Sequence, residues 1–248
     1  MGSKKKHVNG GTESGARRKP KTPLIQPVPP QSFLVVGIGA SAGGLEAFRQ
    51  LLNHLPNDTG MAFVFVQHLD PARESILAEL LSRATDMPVK EVNDGMRVEP
   101  NCVYVIPPNT NMAIANGALR LGPREEKRGQ HRSIDYFMRS LAEEIRNRAI
   151  GVILSGTASD GTLGLEAIKA EGGITFAQDE ETAKYDGMPH SAINAGCVDF
   201  VLPPERIAEE LARLAQRPHV LDVEAARREE LLNPYGEPCA DGGVPPCS

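Results

Sequence analysis

Three residue types that act together in acyl transfer occur after apolar segments of this sequence: a serine, a histidine and an aspartate. Ser41 lies in the turn GASAGG, His68 ends the run VFVQH, and Asp160 lies in SGTASDG. A serine hydroxyl is a weak nucleophile until an imidazole accepts its proton, and a carboxylate on the second ring nitrogen stabilises the imidazolium. These residues are therefore the predicted catalytic set of a serine hydrolase.

The glycine-rich turn allows two interpretations. Gly37, Gly39 and Ala42 fit G-x-G-x-x-A, a turn that binds a dinucleotide pyrophosphate. Gly39, Ser41 and Gly43 fit G-x-S-x-G, a turn that exposes a nucleophile. A dinucleotide site also needs an acid at the end of the second strand, which here ends in Gln-His. The nucleophile is favoured, with a dinucleotide-binding oxidoreductase or a non-catalytic signalling module as alternatives.

Each of the three residues also has a purely structural interpretation. Ser41 could cap a helix, His68 could be a polar residue at a strand end, and Asp160 could be a turn residue. Taken one at a time, these interpretations are the more common ones. The catalytic interpretation is favoured because all three residues are predicted to lie on one edge of the same sheet.

The elements that must position these residues alternate along the chain. Short apolar runs predict strands, and amphipathic segments between them predict helices. Together they predict a doubly wound α/β fold, a mainly parallel sheet with helices on both faces, whose ligand crevice lies at the carboxyl ends of the strands. Asn116-Gly117 predicts a small antiparallel hairpin. The predicted strands are 33–39, 61–68, 102–108, 149–156, 174–178 and 198–202; the predicted helices are 45–55, 76–81, 133–148, 163–173, 190–195 and 204–216.

Length and charge limit the classes of function. We expect a disordered basic and proline-rich leader over 1–31, a catalytic domain over 32–216, and an irregular or disordered tail over 217–248. Residues 1–22 hold seven Lys or Arg, whereas the remainder holds 20 basic and 31 acidic residues. An acidic body argues against nucleic acid as a partner. No apolar run predicts a membrane span or a signal peptide, so we expect a cytoplasmic protein without membrane insertion.

The four cysteines show no metal-ligand spacing, so we expect no metal site. Cys102 and Cys197 are predicted to be buried and to behave as small hydrophobic residues. Ester hydrolysis by a serine needs no cofactor, and we expect none.

Five segments occur in order over about 33–215: GIGASAGGLEAF, VFVQHLDP, VYVIPPN, VILSGTASDGTLG and QDEETAKYDGMPHSAINAG. Together they resemble the catalytic domain of the chemotaxis protein-glutamate methylesterases, most of all the esterase domains of methylesterase/methyltransferase sensory proteins. The resemblance places the family triad on Ser41, His68 and Asp160. It implies hydrolysis of glutamate γ-methyl esters on the cytoplasmic helices of chemoreceptors, deamidation of glutamines in some members, and a methyltransferase as a partner.

The substrate pocket can be predicted in part. Ala42 follows the serine at a helix start, so its N–H would face a developing oxyanion, with Gly43 beside it. The resemblance adds Thr157 and Met188 to this pocket. Many family members carry a phosphorylatable receiver domain before the esterase. Low-complexity residues occupy that position here, so we expect activity without phosphorylation, in a free-standing esterase or a piece of a larger protein.

Two further groups contain residue types that could take part in catalysis. GQHRSIDYF brings together His131, Ser133 and Asp135, with helix capping by Ser133 as the favoured role. His190 is a rival base, but it follows a proline at the start of a short helix, and a role in shaping the pocket is favoured.

Overall fold

The structure is a computed structural model that describes Gly2 and residues 33–67, 76–123 and 132–216. His68, the predicted catalytic base, lies outside the described residues. The predicted leader (Gly2 apart) and the predicted tail also lie outside them, so their boundaries stay predictions.

Within these ranges the chain forms ten strands, six α-helices and one 3₁₀ helix. All residues of the first, fifth and eighth strands are buried, as apolar strands covered on both faces should be. The strands are β1 (Val35–Ala40), β2 (Ala62–Gln67), β3 (Val89–Glu91), β4 (Met96–Arg97), β5 (Cys102–Val105), β6 (Thr110–Ala115), β7 (Ala118–Pro123), β8 (Ala149–Ile153), β9 (Ile174–Gln178) and β10 (Phe200–Leu202). The helices are α1 (Gly44–His54), α2 (Leu77–Ser82), α3 (Ser133–Ile145), α4 (Thr162–Ala170), α5 (Gly187–Asn194) and α6 (Pro204–Ala215), with the 3₁₀ helix at Arg146–Arg148.

Seven strands form one parallel sheet in the order β10-β9-β8-β1-β2-β5-β3. The chain builds outward from β1 through β2 to β5, then returns to place β8 on the other side of β1. The strand order therefore reverses between β1 and β8, and a crevice forms outside the carboxyl ends of two such strands. The predicted fold class, a doubly wound and mainly parallel sheet with helices on both faces, is confirmed.

Helices cover both faces of this sheet, and each buries its apolar stripe. On one face α1, α2 and α6 pack against the sheet, where the rings of Phe48 and Phe65 stack with centroids 4.5 Å apart. On the other face α3, α4 and α5 pack against the sheet, and the small second sheet joins them. Since α3 and α4 start near the crevice, the first turns of both helices contribute to it.

Two glycines of the ambiguous motif lie inside β1 and face α3. A Cβ on Gly39 would lie 2.3 Å from Ile134 Cγ2, and one on Gly37 would lie 2.8 Å from Leu141 Cδ2. Both positions therefore let a helix approach the strand closely. In a dinucleotide-binding turn, by contrast, the first glycines lie in the loop between the strand and the helix, where they contact the pyrophosphate. The dinucleotide-like spacing is thus explained by packing, and nothing specific favours the oxidoreductase alternative.

The predicted hairpin is present, within a sheet of order β4-β7-β6. Asn116 and Gly117 have φ of 53° and 69°, as a type I′ turn requires. The sequence did not predict β3 and β4, which are only three and two residues long. In the part of the chain described here, no helix is long and apolar enough to span a bilayer.

Candidate active site

The crevice contains the turns that follow β1 and β8. Ser41 follows β1, and its backbone N–H donates to the Ser155 carbonyl at 3.0 Å. The Leu154 N–H donates to the Gly39 carbonyl at 2.9 Å. These bonds continue the β1–β8 pairing beyond its last strand partners, so the serine turn is joined directly to the chain segment that leads to Asp160.

The backbone around Ser41 is held on two sides. Its carbonyl accepts a hydrogen bond from Gln67 Nε2 at 3.1 Å and another from the Gly44 N–H at 3.0 Å. The N-cap residue of α1 is Gly43, and that helix has no side-chain cap bond. The capping interpretation of Ser41 is therefore not supported, and its hydroxyl stands in the turn before the helix.

A glycine is required immediately before α1. Gly43 has a φ of +78°, a left-handed conformation that costs other residues free energy. A Cβ on Gly43 would also lie 2.7 Å from Ser155 Oγ and 3.0 Å from Lys184 Cβ. The chain therefore reverses sharply after Ser41 because a residue without a side chain follows.

A buried serine, Ser155, forms hydrogen bonds that stabilise the turn containing Ser41. Its hydroxyl donates to the Ala42 carbonyl at 2.9 Å and accepts from the Tyr185 N–H at 3.0 Å. Its own N–H donates to Gln178 Oε1 at 2.9 Å. Ser155 and Gln178 are each 1 % exposed. This N–H therefore bonds a side chain and not the backbone of β9. The regular pairing of β8 with β9 ends before Ser155, and β8 ends at Ile153, three residues before the end predicted from the sequence.

Asp160 lies between β8 and α4 and is only 5 % exposed. Its Oδ2 accepts from the Ile134 N–H at 3.0 Å, and its Oδ1 accepts from the Asp135 N–H at 2.9 Å. The residue is therefore more than a local turn former, because it caps a helix 25 residues away in sequence. Buried carboxylates with two fixed donors have a defined orientation, as the acid of a triad needs.

Asp135 is a second buried carboxylate, 3 % exposed, in the first turn of α3. Its Oδ1 accepts from the N–H groups of Gly161 and Gly164, each at 2.9 Å, and Arg132 Nη1 lies 3.3 Å from its Oδ2. Burial, and then the nearby charge of Asp160, raise the pKa of the Asp135 carboxyl. Sequence reasoning named this residue but not its role.

The predicted N-cap of α3 is wrong. Ser133 is the first residue of the helix, Arg132 occupies the cap position, and no side-chain cap bond is formed there. Asp160 accepts the N–H bonds that Ser133 was expected to take. Asp160 takes the capping role expected of Ser133, because a negatively charged acceptor interacts more strongly with the positive N-terminal end of a helix than a neutral hydroxyl does.

The predicted pocket residues differ in their surroundings. Among the described residues, no acceptor bonds the backbone N–H of Ala42 or Gly43, which leaves both as possible oxyanion donors. Thr157 is exposed on the crevice edge. Met188 is fully buried, and its Sδ would lie 2.2 Å from a Cβ on Gly156. The same Gly156 Cβ position would lie 3.0 Å from Ser41 Cβ, so Met188 is buried close to the Ser41 turn, and the pocket roles of all four residues stay predictions.

The rival base His190 has partners for both ring nitrogens. Its Nδ1 lies 2.5 Å from Glu180 Oε1, and its Nε2 lies 2.7 Å from Asn194 Nδ2. The side chain is largely exposed, and α5 begins at Gly187, before the predicted start at 190. This pairing does not support His190 as the base. His131 lies outside the described residues.

The described residues contain no group of three or more His, Cys, Asp or Glu that could hold a metal ion. Cys102 and Cys197 are both buried, as predicted. Burial raises the pKa of the Cys197 thiol, so its nucleophilic thiolate form is disfavoured. Cys197 therefore does not compete with the serine turn as a nucleophile.

Comparisons with known proteins agree with this geometry. Residues 36–211 match the protein family described as CheB methylesterase. A protein-glutamate methylesterase/protein-glutamine glutaminase of Syntrophus aciditrophicus is 36% identical over 211 residues, 80% of this chain and 60% of the relative. One of Burkholderia thailandensis is 39% identical over 191 residues, 76% of this chain and 56% of the relative.

A solved structure is similar as well. The crystal structure of the Thermotoga maritima CheB methylesterase catalytic domain matches with a TM-score of 0.69 and 34% identity, covering 73% of this chain and 98% of that one. This chain thus spans nearly all of a solved catalytic domain, but only 60% and 56% of the two relatives named above.

Proposed function

Since the chain belongs to the CheB methylesterase family, we propose that it is a serine hydrolase of glutamate γ-methyl esters in chemoreceptor-type proteins. The observation that carries the proposal is the placement of Ser41 in a strand–turn–helix junction at the sheet's switch point, bonded to the segment that leads to Asp160. The resemblance of the GASAGG segment and the geometry of this turn both support Ser41 as the proposed nucleophile.

In the first step of the proposed reaction, Ser41 Oγ attacks the γ-carbonyl carbon of the methyl ester. His68 accepts the hydroxyl proton, and Asp160 orients the imidazole and stabilises its positive charge. The carbonyl oxygen becomes an oxyanion, for which the N–H groups of Ala42 and Gly43 are the proposed donors. Collapse of this intermediate breaks the bond to the methoxy oxygen, which leaves as methanol with the proton from His68.

In the second step water attacks the resulting acyl-enzyme. His68 takes a proton from water, the bond to Ser41 Oγ breaks, and the serine regains its proton from the imidazolium. The products are a glutamate carboxylate and the free enzyme. Atoms balance without an oxidant, a reductant or a cofactor.

The same chemistry extends to glutamine. Relatives are named for glutaminase activity as well as methylesterase activity. A carboxamide would follow the same steps with ammonia as the leaving group, and we include this as a second proposed reaction. The proposed substrates lie on cytoplasmic receptor helices, so the chain would act in the cytoplasm, and a methyltransferase must supply the esters that it removes.

The test is methanol release from a methylated chemoreceptor by the purified chain and by Ser41→Ala. We expect the variant to lose at least about 10³-fold in kcat, as nucleophiles of this kind do, with an unchanged unfolding temperature. Ser140→Ala is the matched control, because it removes a hydroxyl that bonds only α3 and β6. Full activity in Ser41→Ala, or no methanol from any methylated receptor, would overturn the proposal.

A further inference from the structure

Two buried carboxylates cap each other's helices. Asp160, just before α4, accepts the N–H groups of Ile134 and Asp135 at the start of α3. Asp135, in the first turn of α3, accepts those of Gly161 and Gly164 at the start of α4. We call these four hydrogen bonds the reciprocal cap. Each carboxylate thus lies at the positive end of the other's helix, where an anion is most favourable.

The reciprocal cap fixes both the loop and the carboxylate that it carries. Each oxygen of Asp160 receives one of the two N–H bonds from α3, so rotation of the carboxylate would break both. The backbone that follows Asp160 is held in turn by Asp135.

Close helix packing makes the reciprocal cap possible. A Cβ on Gly164 would lie 2.5 Å from Met138 Cβ, and one on Gly161 would lie 3.0 Å from Ile134 Cγ2, both in α3. The missing side chains let α4 approach α3 until short aspartate side chains reach across. The like charges of the two carboxylates oppose this arrangement, and Arg132, 3.3 Å from Asp135, offsets part of the repulsion.

From this geometry we propose that Asp135 is a positioning residue for the triad acid: it holds the Asp160 loop, and with it the orientation of the Asp160 carboxylate. Asp135 itself contacts neither substrate nor imidazole in this account. The proposal rests on the proposed function only in taking Asp160 as the triad acid. The reciprocal cap itself is independent of what the crevice hydrolyses.

The test uses the full chain with Asp135→Ala, Asp135→Asn and a control, Asp199→Asn. Asp199 also accepts a backbone N–H, from Thr175 at the start of β9, at the other end of the sheet from the crevice. For methyl-ester hydrolysis we expect Asp135→Ala to lower kcat by about 10- to 100-fold with little change in KM, because misplacing a catalytic group by about 1 Å has this effect. Asp135→Asn keeps an acceptor oxygen, so its kcat should fall less than that of Asp135→Ala.

The control should keep the wild-type kcat even if it lowers the unfolding temperature. A wild-type kcat in Asp135→Ala, with only the unfolding temperature reduced, would overturn the proposal, since Asp135 would then be a structural cap. A loss of kcat in Asp199→Asn equal to that in Asp135→Ala would overturn it as well, because any weakened carboxylate cap would have the same effect.

Amide hydrogen exchange separates this proposal from the proposed function. In Asp135→Ala the Gly161 and Gly164 amides should exchange at least about tenfold faster, because they lose a buried hydrogen-bond acceptor. If the wild-type chain releases no methanol but this exchange is seen, the proposed function fails while the reciprocal cap stands. Unchanged exchange at both glycines would overturn the positioning role whatever the activity.

Discussion

The two sides of the crevice are held in place by different forces. On the side of the proposed nucleophile, the nucleophile side, Ser41 is positioned by glycine conformation, by close contacts and by neutral hydrogen bonds through Ser155 and Gln67. On the side of the proposed triad acid, the acid side, Asp160 is held by two N–H groups of α3, and the backbone that follows it is held by the Asp135 carboxylate. One side is fixed mainly by shape and the other by charge.

This difference predicts how each side fails. A substitution that adds volume should damage the serine turn, because its atoms already lie at contact distance. A substitution that removes a charge should damage the acid side, because buried N–H groups would lose a charged acceptor. The predictions below compare the two sides, from the largest expected effect to the smallest.

Asp160→Asn tests the charge of the acid side and should have the largest effect of the variants compared below, although a smaller one than Ser41→Ala. The amide keeps the shape, but its NH2 would face one of the N–H groups of α3 and cannot stabilise an imidazolium. We expect kcat to fall by about 10³- to 10⁴-fold, as for the acid of other triads. Methanol release measures the loss, and far-UV circular dichroism checks the fold. Activity equal to wild type would leave Asp160 as a helix cap alone.

Gly43→Ala tests the shape of the nucleophile side. The new Cβ would lie 2.7 Å from Ser155 Oγ at a φ of +78°. We expect a fall in kcat of at least about tenfold and a stability loss of about 1–3 kcal/mol from backbone strain.

Gly60→Ala is the matched control for that variant. Gly60 has a φ of +73° but nothing within 4 Å of a new Cβ. It should therefore lose stability from strain alone and keep the wild-type kcat. Equal losses of kcat in both variants would contradict a specific steric role for the turn after Ser41.

Ser155→Ala tests the neutral hydrogen bonds under the serine turn. Without the hydroxyl, the Tyr185 N–H loses its acceptor, and we expect a stability loss of about 1–3 kcal/mol. The turn should also loosen, which lowers kcat by a few-fold. Ser140→Ala removes a similar pair of bonds away from the crevice, so denaturant unfolding should show a comparable loss there without a change in kcat. A wild-type kcat in Ser155→Ala would show that the Ser155 hydroxyl is not needed to hold the turn.

The pH dependence of stability tests the acid side without a substrate. Burial and the charge of Asp160 raise the pKa of Asp135 above its unfolded value of 3.8, although Arg132 acts in the opposite direction. The folded state then holds this proton more tightly, so the contribution of Asp135 is full below pH 3.8 and is lost as the pH rises through the raised pKa. Relative to Asp135→Asn, wild type should therefore lose stability over this range in urea unfolding. A relative gain with rising pH would contradict the assigned direction.

The sequence predicted those features that depend on local pattern. Apolar runs identified the long strands, Asn116-Gly117 identified the hairpin, and the polar residues after the strands led to Ser41 and Asp160. This worked because the carboxyl ends of parallel strands meet at one edge of a sheet. The two shortest strands, β3 and β4, were missed because two or three residues carry too little periodicity to recognise.

The supporting interactions could not be predicted because they join residues far apart in the chain. Ser155 bonds Ala42 across 113 positions, and Asp135 and Asp160 meet only because α3 and α4 pack closely. Ser133 is an example of a local prediction that a long-range interaction overturned. It had the right residue type for a local cap, but a distant carboxylate took its place. Local preference is a weak guide where a buried charge is available.

Trapping the acyl-enzyme tests the central claim most directly. The wild-type chain is mixed with a receptor peptide that carries one glutamate γ-methyl ester, quenched in acid during the first turnovers, digested and analysed by mass spectrometry. The account predicts a covalent adduct on the fragment that contains Ser41, with the mass of the peptide less methanol, and no adduct in Ser41→Ala. An adduct on another residue, or methanol release by Ser41→Ala at the wild-type rate, would contradict it.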